Sequence, residues 1–226
     1  TNLINNFSSF INVFSTVGAS YQIAFITTDD PLFVNGAIVS DASLDPIGDI
    51  DTIISSIGIR GSPDEKGIQS AYESLQVGGN AGIGSTFLRE DARFVLIFIS
   101  DEPDHSFIVD HNDLINHLYT VKSSSHLIAP HAVSGDYPSG CSGAEFGDGY
   151  YDVVGAFFGS FLSICSTDWG VQLDALARDS IASNIFTLSD PAIEESIDVY
   201  IDGILVADWT FEESTNSVII NTAVAI

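Results

Sequence analysis

The segment Phe94 to Ser106, FVLIFISDEPDHS, constrains the fold more than any other part of the chain. Phe94 to Ser100 is an almost continuous apolar run ended abruptly by carboxylates. A strand with one wet face alternates polar and apolar residues, so a run of this kind reads as a strand covered on both faces. Such strands belong to parallel α/β sheets, whose ligands gather beyond the carboxyl ends of the strands. Asp101, Glu102, Asp104 and His105 therefore stand where chemistry or metal binding is expected.

The remaining periodicities fit around that strand. Leu3, Phe7, Phe10, Phe14 and Val17 recur at helical steps and predict an amphipathic helix over 2 to 17. YQIAFITT (21 to 28) reads as a strand, and LFVNGAIV (32 to 39) as its hairpin partner turning through Asn35-Gly36. Residues 41 to 51 read as an acidic loop. In GSPDEKGIQSAYESLQVGG, Ser62 is the expected N-cap, Pro63 the first helical residue and Glu65 the third, completing a capping box.

Further along, a helix is predicted over 111 to 122 and a strand over 126 to 133, which Pro130 assigns to an edge or a distorted end. Another helix is capped by Thr167 or Asp168. SIDVYIDGILV and SVIINTAV alternate as antiparallel strands with turn signals at Asp202-Gly203 and Asn216.

Six Lys plus Arg stand against 31 Asp plus Glu, a formal charge of −25, while 45% of residues are apolar. The core is thus ordinary and the acidity lies on the surface. Such a surface repels nucleic acid and anionic lipid and attracts cations, so no nucleic-acid partner is expected. It also suits a marine, saline or calcium-rich setting. No run reaches the ~20 apolar residues of a membrane span. The chain starts at Thr1 and contains no Met, which suggests a processed or excised piece of a longer protein.

Cys141 and Cys165 are the only cysteines. They suit a disulfide, two free thiols or half a metal site, and the lack of CxxC spacing argues against zinc. A disulfide would close the loop between them, worth ~3 kcal/mol in the chain-entropy model, and would imply export.

Three constellations could carry chemistry. Asp101 and Ser62, with Glu102 and Asp104, offer the carboxylate and hydroxyl oxygens that Mg²⁺ or Ca²⁺ prefers. Their plainer roles are a solvated turn and a helix cap. Asp104, His105, Asp110, His111 and His117 form a histidine and carboxylate group suited to a transition metal or a general base, but without an HExxH signature they read as exposed polar residues. No G-x-S-x-G elbow and no phosphate-binding glycine loop occurs, and hydrolysis by Asp101, Asp104 and His105 is the least supported reading. Asn6-Phe7-Ser8 has the glycosylation pattern but falls within the first helix, and Asp136, Asp148 and Asp152 suit either Ca²⁺ or a solvated loop.

The order of the first helix, ITTD, GSPDEKGIQSA, LREDARFVLIFISDEPDHS and a cysteine pair ending in SICSTDW resembles a von Willebrand factor type A domain, in particular its bacterial exported branch. The likeness spans roughly residues 1 to 190. It implies a Rossmann-like, mostly parallel sheet flanked by helices, with residues 191 to 226 as a small antiparallel β-hairpin extension packed on it. In that family a metal-ion-dependent adhesion site draws ligands from three loops, D-x-S-x-S after the first strand, a hydroxyl in the second loop and an Asp in the third. Asp101 matches the third and Ser62 the second, and the first loop has no counterpart here. The resemblance implies a non-enzymatic, cell-surface or secreted adhesion module that binds a protein or glycan through Mg²⁺, Ca²⁺ or Mn²⁺. The missing first strand allows a different reading, a structural module of an extracellular filament or assembly, contacting neighbouring subunits, with a vestigial metal site and with that strand upstream or donated; TAVAI (222 to 226) reads first as a last strand of the extension and otherwise as an apolar stretch able to pair with a neighbour.

Overall fold

The computed structural model describes residues 2–58, 62, 64–90, 92–181, 185–201 and 203–220. Pro63, Asp202 and the TAVAI stretch lie outside them. The chain forms a mixed α/β structure whose centre is a parallel sheet of β3 (Phe94–Ile99), β4 (Ile128–Ser134) and β5 (Phe161–Ser163), in the order β3-β4-β5. Along β3, Phe94 and Phe98 turn to one face and Ile97 and Ile99 to the other. The expectation of a strand covered on both faces holds.

One cover consists of α3 (Gly67–Leu75), α4 (His111–Val121) and α5 (Tyr150–Ala156), which bury Ile68, Leu114, Leu118 and Val153 against the sheet. The other consists of α1 (Asn2–Val17), α2 (Pro46–Ile57) and α6 (Trp169–Ser180), which bury Phe10, Ile50, Leu173 and Leu176. Helices α4 and α6 show why they start where they do. Asp110 caps α4 in a reciprocal box with Asp113, and Asp168 caps α6 by accepting the Val171 N–H at 3.1 Å.

Several expectations need correction. The acidic loop holds a helix, since Asp45 caps α2 through the Gly48 N–H and Pro46 opens it. Helix α3 begins at Gly67, with Lys66 at its cap position, so no capping box forms at Ser62 and Glu65. Pro130 sits in the middle strand, every residue of which is buried. It is tolerated because its nitrogen faces the β5 side, and β5 begins to pair only at Ala132.

The run 21 to 28 forms a ladder only as β1 (Gln22–Ile23), antiparallel to β2 (Val39–Ser40), with the Asn35-Gly36 turn between them. Its remaining residues lie across from β3 without pairing to it, and β3 is the edge strand of its sheet. Between the two lies a cavity of about 500 Å³, walled by β3, by residues 21–28, by Phe7, Phe10 and Phe14 of α1, and by Leu75 of α3.

At the C-terminal end, β6 (Ile185–Thr187), β10 (Ser217–Ile220) and β9 (Trp209–Glu212) form an antiparallel sheet, and β7 (Tyr200–Ile201) pairs with β8 (Ile204–Leu205). Cys141 and Cys165 form a disulfide. Among the described residues no helix is long and apolar enough to cross a membrane.

Candidate functional site

The carboxyl end of β3 delivers Ser100 into the structure and Asp101 to the surface. Ser100 is 4% exposed, and its hydroxyl accepts the Glu102 N–H at 3.0 Å while lying against the Glu65 carboxyl and the Glu102 carbonyl. A single hydroxyl proton cannot serve both acceptors. The Ser100 hydroxyl therefore donates to the Glu65 carboxyl or to the Glu102 carbonyl, one at a time.

Burial raises the Glu65 carboxyl above its ordinary range, the Ser100 hydrogen bond opposes this, and the negative charges of Asp101, Glu102 and Asp29 raise it further. Four carboxylates from three separate segments therefore share one electrostatic environment. Asp29 also accepts the Ser62 N–H at 2.8 Å, which places Ser62 beside the same group. The Ser62 hydroxyl accepts the Asp64 N–H at 3.1 Å.

Asp29 and Glu65 were not singled out as site residues in the sequence. The signal was present for Asp29, which ends an apolar run much as Asp101 does.

Asp104 has a different task. Its Oδ1 accepts the Ile68 N–H at 3.0 Å and its two oxygens accept the Ser106 hydroxyl and N–H, while the Ser106 hydroxyl accepts the Gln69 N–H at 2.9 Å. The first turn of α3 is thus capped from the loop after β3. Burial raises the Asp104 carboxyl, and the hydrogen bonds from Ile68 and Ser106 oppose the shift. The His105 N–H reaches the Glu65 carbonyl at 2.7 Å, a second link between the two loops. Gly67 lets Tyr150 of α5 pack against the start of α3, because a Cβ there would lie 2.7 Å from the Tyr150 hydroxyl.

The histidine group disperses. His105 is exposed. His111 is beside Asn112, and the His117 ring packs on Tyr72 with Nε2 3.2 Å from the Leu75 carbonyl, tying α4 to the end of α3.

In donor chemistry the carboxyl-edge group suits a hard cation, since it offers carboxylate and hydroxyl oxygens with no sulfur or imidazole among them. Its side chains do not close around a common point, however, and among the described residues no three His, Cys, Asp or Glu side chains come together to hold an ion. Comparison with protein-family models found no match, and a search of curated proteins also found none.

Proposed function

We propose that this chain is an exported binding module of the von Willebrand factor type A kind, with a divalent cation at the carboxyl edge bridging to an acidic group on a protein or glycan partner. Mg²⁺ or Ca²⁺ is the expected ion and Mn²⁺ a substitute. The observation that carries this reading is that Glu65, hydrogen-bonded to Ser100 at the end of β3, feels the negative charges of Asp29, Asp101 and Glu102, so that three segments bring acidic groups to this edge. Asp101 and Ser62 would hold the ion, with Glu102 beside them, and Asp104 would support them by fixing α3. The serines at this edge are engaged structurally, Ser100 with Glu65 and Ser106 with α3, which fits binding rather than turnover. The disulfide fits an oxidising, extracellular setting.

The test is calorimetric titration with Mg²⁺, Mn²⁺ and Ca²⁺ beside Asp101→Ala, in enough salt to screen the acidic surface. Saturable binding that the substitution abolishes supports the reading. Affinity should also rise with pH as Glu65 ionises, because its negative charge adds to that of Asp101 and Glu102 and favours a cation beside them. Equal titration of the two proteins would remove Asp101 from any cation site.

A second reading is favoured by the cavity beside β3. Its two flanks run the same way, since Thr28 at the end of one and Asp104 just beyond the end of the other both bond to the start of α3, and it lies between two helical layers where a further parallel strand would fit. On this reading the chain is a structural module of an extracellular assembly and completes its sheet with an apolar strand supplied from elsewhere. A six-residue Val/Ile-rich peptide should then raise the thermal midpoint, and a scrambled peptide with interspersed charges should not. No rise with either would sink this alternative.

A further inference from the structure

Residues 134–166, the segment held by the disulfide, carry an aromatic group that neither reading uses. The Tyr137 and Tyr151 rings stack at 4.7 Å with only 17° between their planes. Phe146 stands edge-on to Tyr137 at 5.3 Å and to Tyr151 at 5.6 Å, and Phe161 backs Tyr151 at 5.2 Å. The inner rings support the outer ones. Tyr137 is nevertheless 61% exposed and Tyr151 38%, so the stack presents ring surface to water.

The stack is held from several sides. The Cys141–Cys165 bond closes the segment, the Gly140 N–H reaches the Asp136 carbonyl at 2.7 Å, and the Glu145 N–H reaches the Asp101 carbonyl at 2.9 Å. Rings fixed in this way lose little freedom when a ligand arrives.

The charge around the stack selects the ligand. From 134 to 166 the chain carries Asp136, Glu145, Asp148 and Asp152 and no Lys or Arg. Asp136 and Asp152 adjoin the two stacked rings in sequence and Glu145 adjoins Phe146, and Glu145, Asp148 and Asp152 are exposed. Ring faces carry negative electrostatic potential and attract cations, most strongly a planar guanidinium that can stack while its N–H groups reach carboxylates. The chain already makes one contact of this type, Lys66 over the Phe107 ring at 4.8 Å. A neutral sugar could lie on the same rings but would gain nothing from the surrounding charge.

We infer that the Tyr137–Tyr151 stack and its flanking carboxylates form a docking surface for an arginine-bearing segment of a partner protein. This goes beyond the cation-bridged reading and does not depend on it.

The test uses three synthetic decapeptides that differ only in carrying four Arg, four Lys or four Glu, titrated calorimetrically at 150 mM salt without divalent cations, together with a neutral oligosaccharide. The Arg peptide is expected to bind best, the Lys peptide more weakly and the Glu peptide not at all. Tyr137→Ala should weaken the Arg peptide about fivefold to thirtyfold, the range of a partly desolvated cation–ring contact, and Tyr137→Phe should restore it. Tyr200→Ala, at an exposed tyrosine elsewhere, should change nothing. The Arg δ-protons should also move upfield in the proton spectrum as they come to lie over a ring. Equal binding to the parent and Tyr137→Ala would show diffuse attraction to an acidic surface and overturn the proposal. So would absence of Arg-peptide binding, or binding of the oligosaccharide in its place.

Discussion

Strand β3 has β4 on one side and a cavity on the other, although the two neighbouring sequences are similar in kind. On the paired side, β4 matches β3 residue for residue from Phe94–Ile128 to Ile99–Val133, and all seven of its residues are buried. On the other side, YQIAFITT is equally apolar, yet only Gln22 and Ile23 join a ladder, and that ladder belongs to β2. Apolar patterning specifies that a segment is covered, and here helices α1 and α3 supply the cover. Pairing needs in addition a neighbour whose N–H and C=O groups are within reach, and the periodicity of a single segment does not encode that neighbour.

The largest expected effect tests this asymmetry directly. Leu118 is fully enclosed beneath the paired side, so Leu118→Ala should cost about 2–5 kcal/mol in urea unfolding. Ile97 lines the cavity, and Ile97→Ala should cost less than about 2 kcal/mol because part of its surface already meets empty space. Equal losses would break the comparison, since they would show that both sides are packed alike. Repeating the pair with the Val/Ile-rich peptide present would sharpen it, because a filled cavity should bring the Ile97 cost up toward that of Leu118.

The paired side also has its own acid sensitivity, at the amino end of the sheet. His131 is 2% exposed in β4, its Nδ1 accepts the Ser160 N–H at 3.0 Å, and burial with the nearby Arg93 guanidinium lowers its pKa to about 4, while Asp179 partly opposes the shift. The unfolded chain takes up this proton near pH 6.5 and the folded chain does not until about pH 4, so stability should fall as pH drops through that window. The full shift corresponds to about 3 kcal/mol. Unfolding free energies at pH 7, 5.5 and 4.5 should show the decline, and His131→Gln should flatten it. An unchanged slope in the variant would assign the acid sensitivity to other groups.

Much of the scaffold was legible in the sequence for local reasons. Helices α1, α4 and α6 carry their own periodicity, with Asp168 among the expected caps of the last, and β3 announces itself by unbroken apolarity. What was hidden depends on contacts between distant segments. Pro130 looked like an edge residue because nothing in its own strand reveals that β5 starts two positions later. The complete capping signature at Ser62 to Glu65 was misleading, because Ser62 is tied to Asp29 and Glu65 to Ser100. The candidate site was half legible in the same sense. Asp101 followed from the end of a strand, whereas the approach of Glu65 required the fold.

The smallest effect concerns the loop that joins these segments. Asp104 caps α3 across 36 residues of sequence, so its carboxylate stabilises the helix only while the carboxyl edge is assembled. Asp104→Ala should cost about 1 kcal/mol, the usual worth of a cap, whereas Asp104→Asn keeps an acceptor for Ile68 and should cost about half of that or less. The pH dependence carries the opposite sign to that of His131. Because the folded carboxyl is raised, the folded chain holds this proton more tightly than the unfolded one, and its contribution to stability is present at low pH and lost as pH rises through the shifted value. Asp104→Asn should remove that component while leaving the His131 slope in place. Loss of both slopes together would mean that the two ends of the sheet are coupled and that the paired and open sides of β3 do not respond independently.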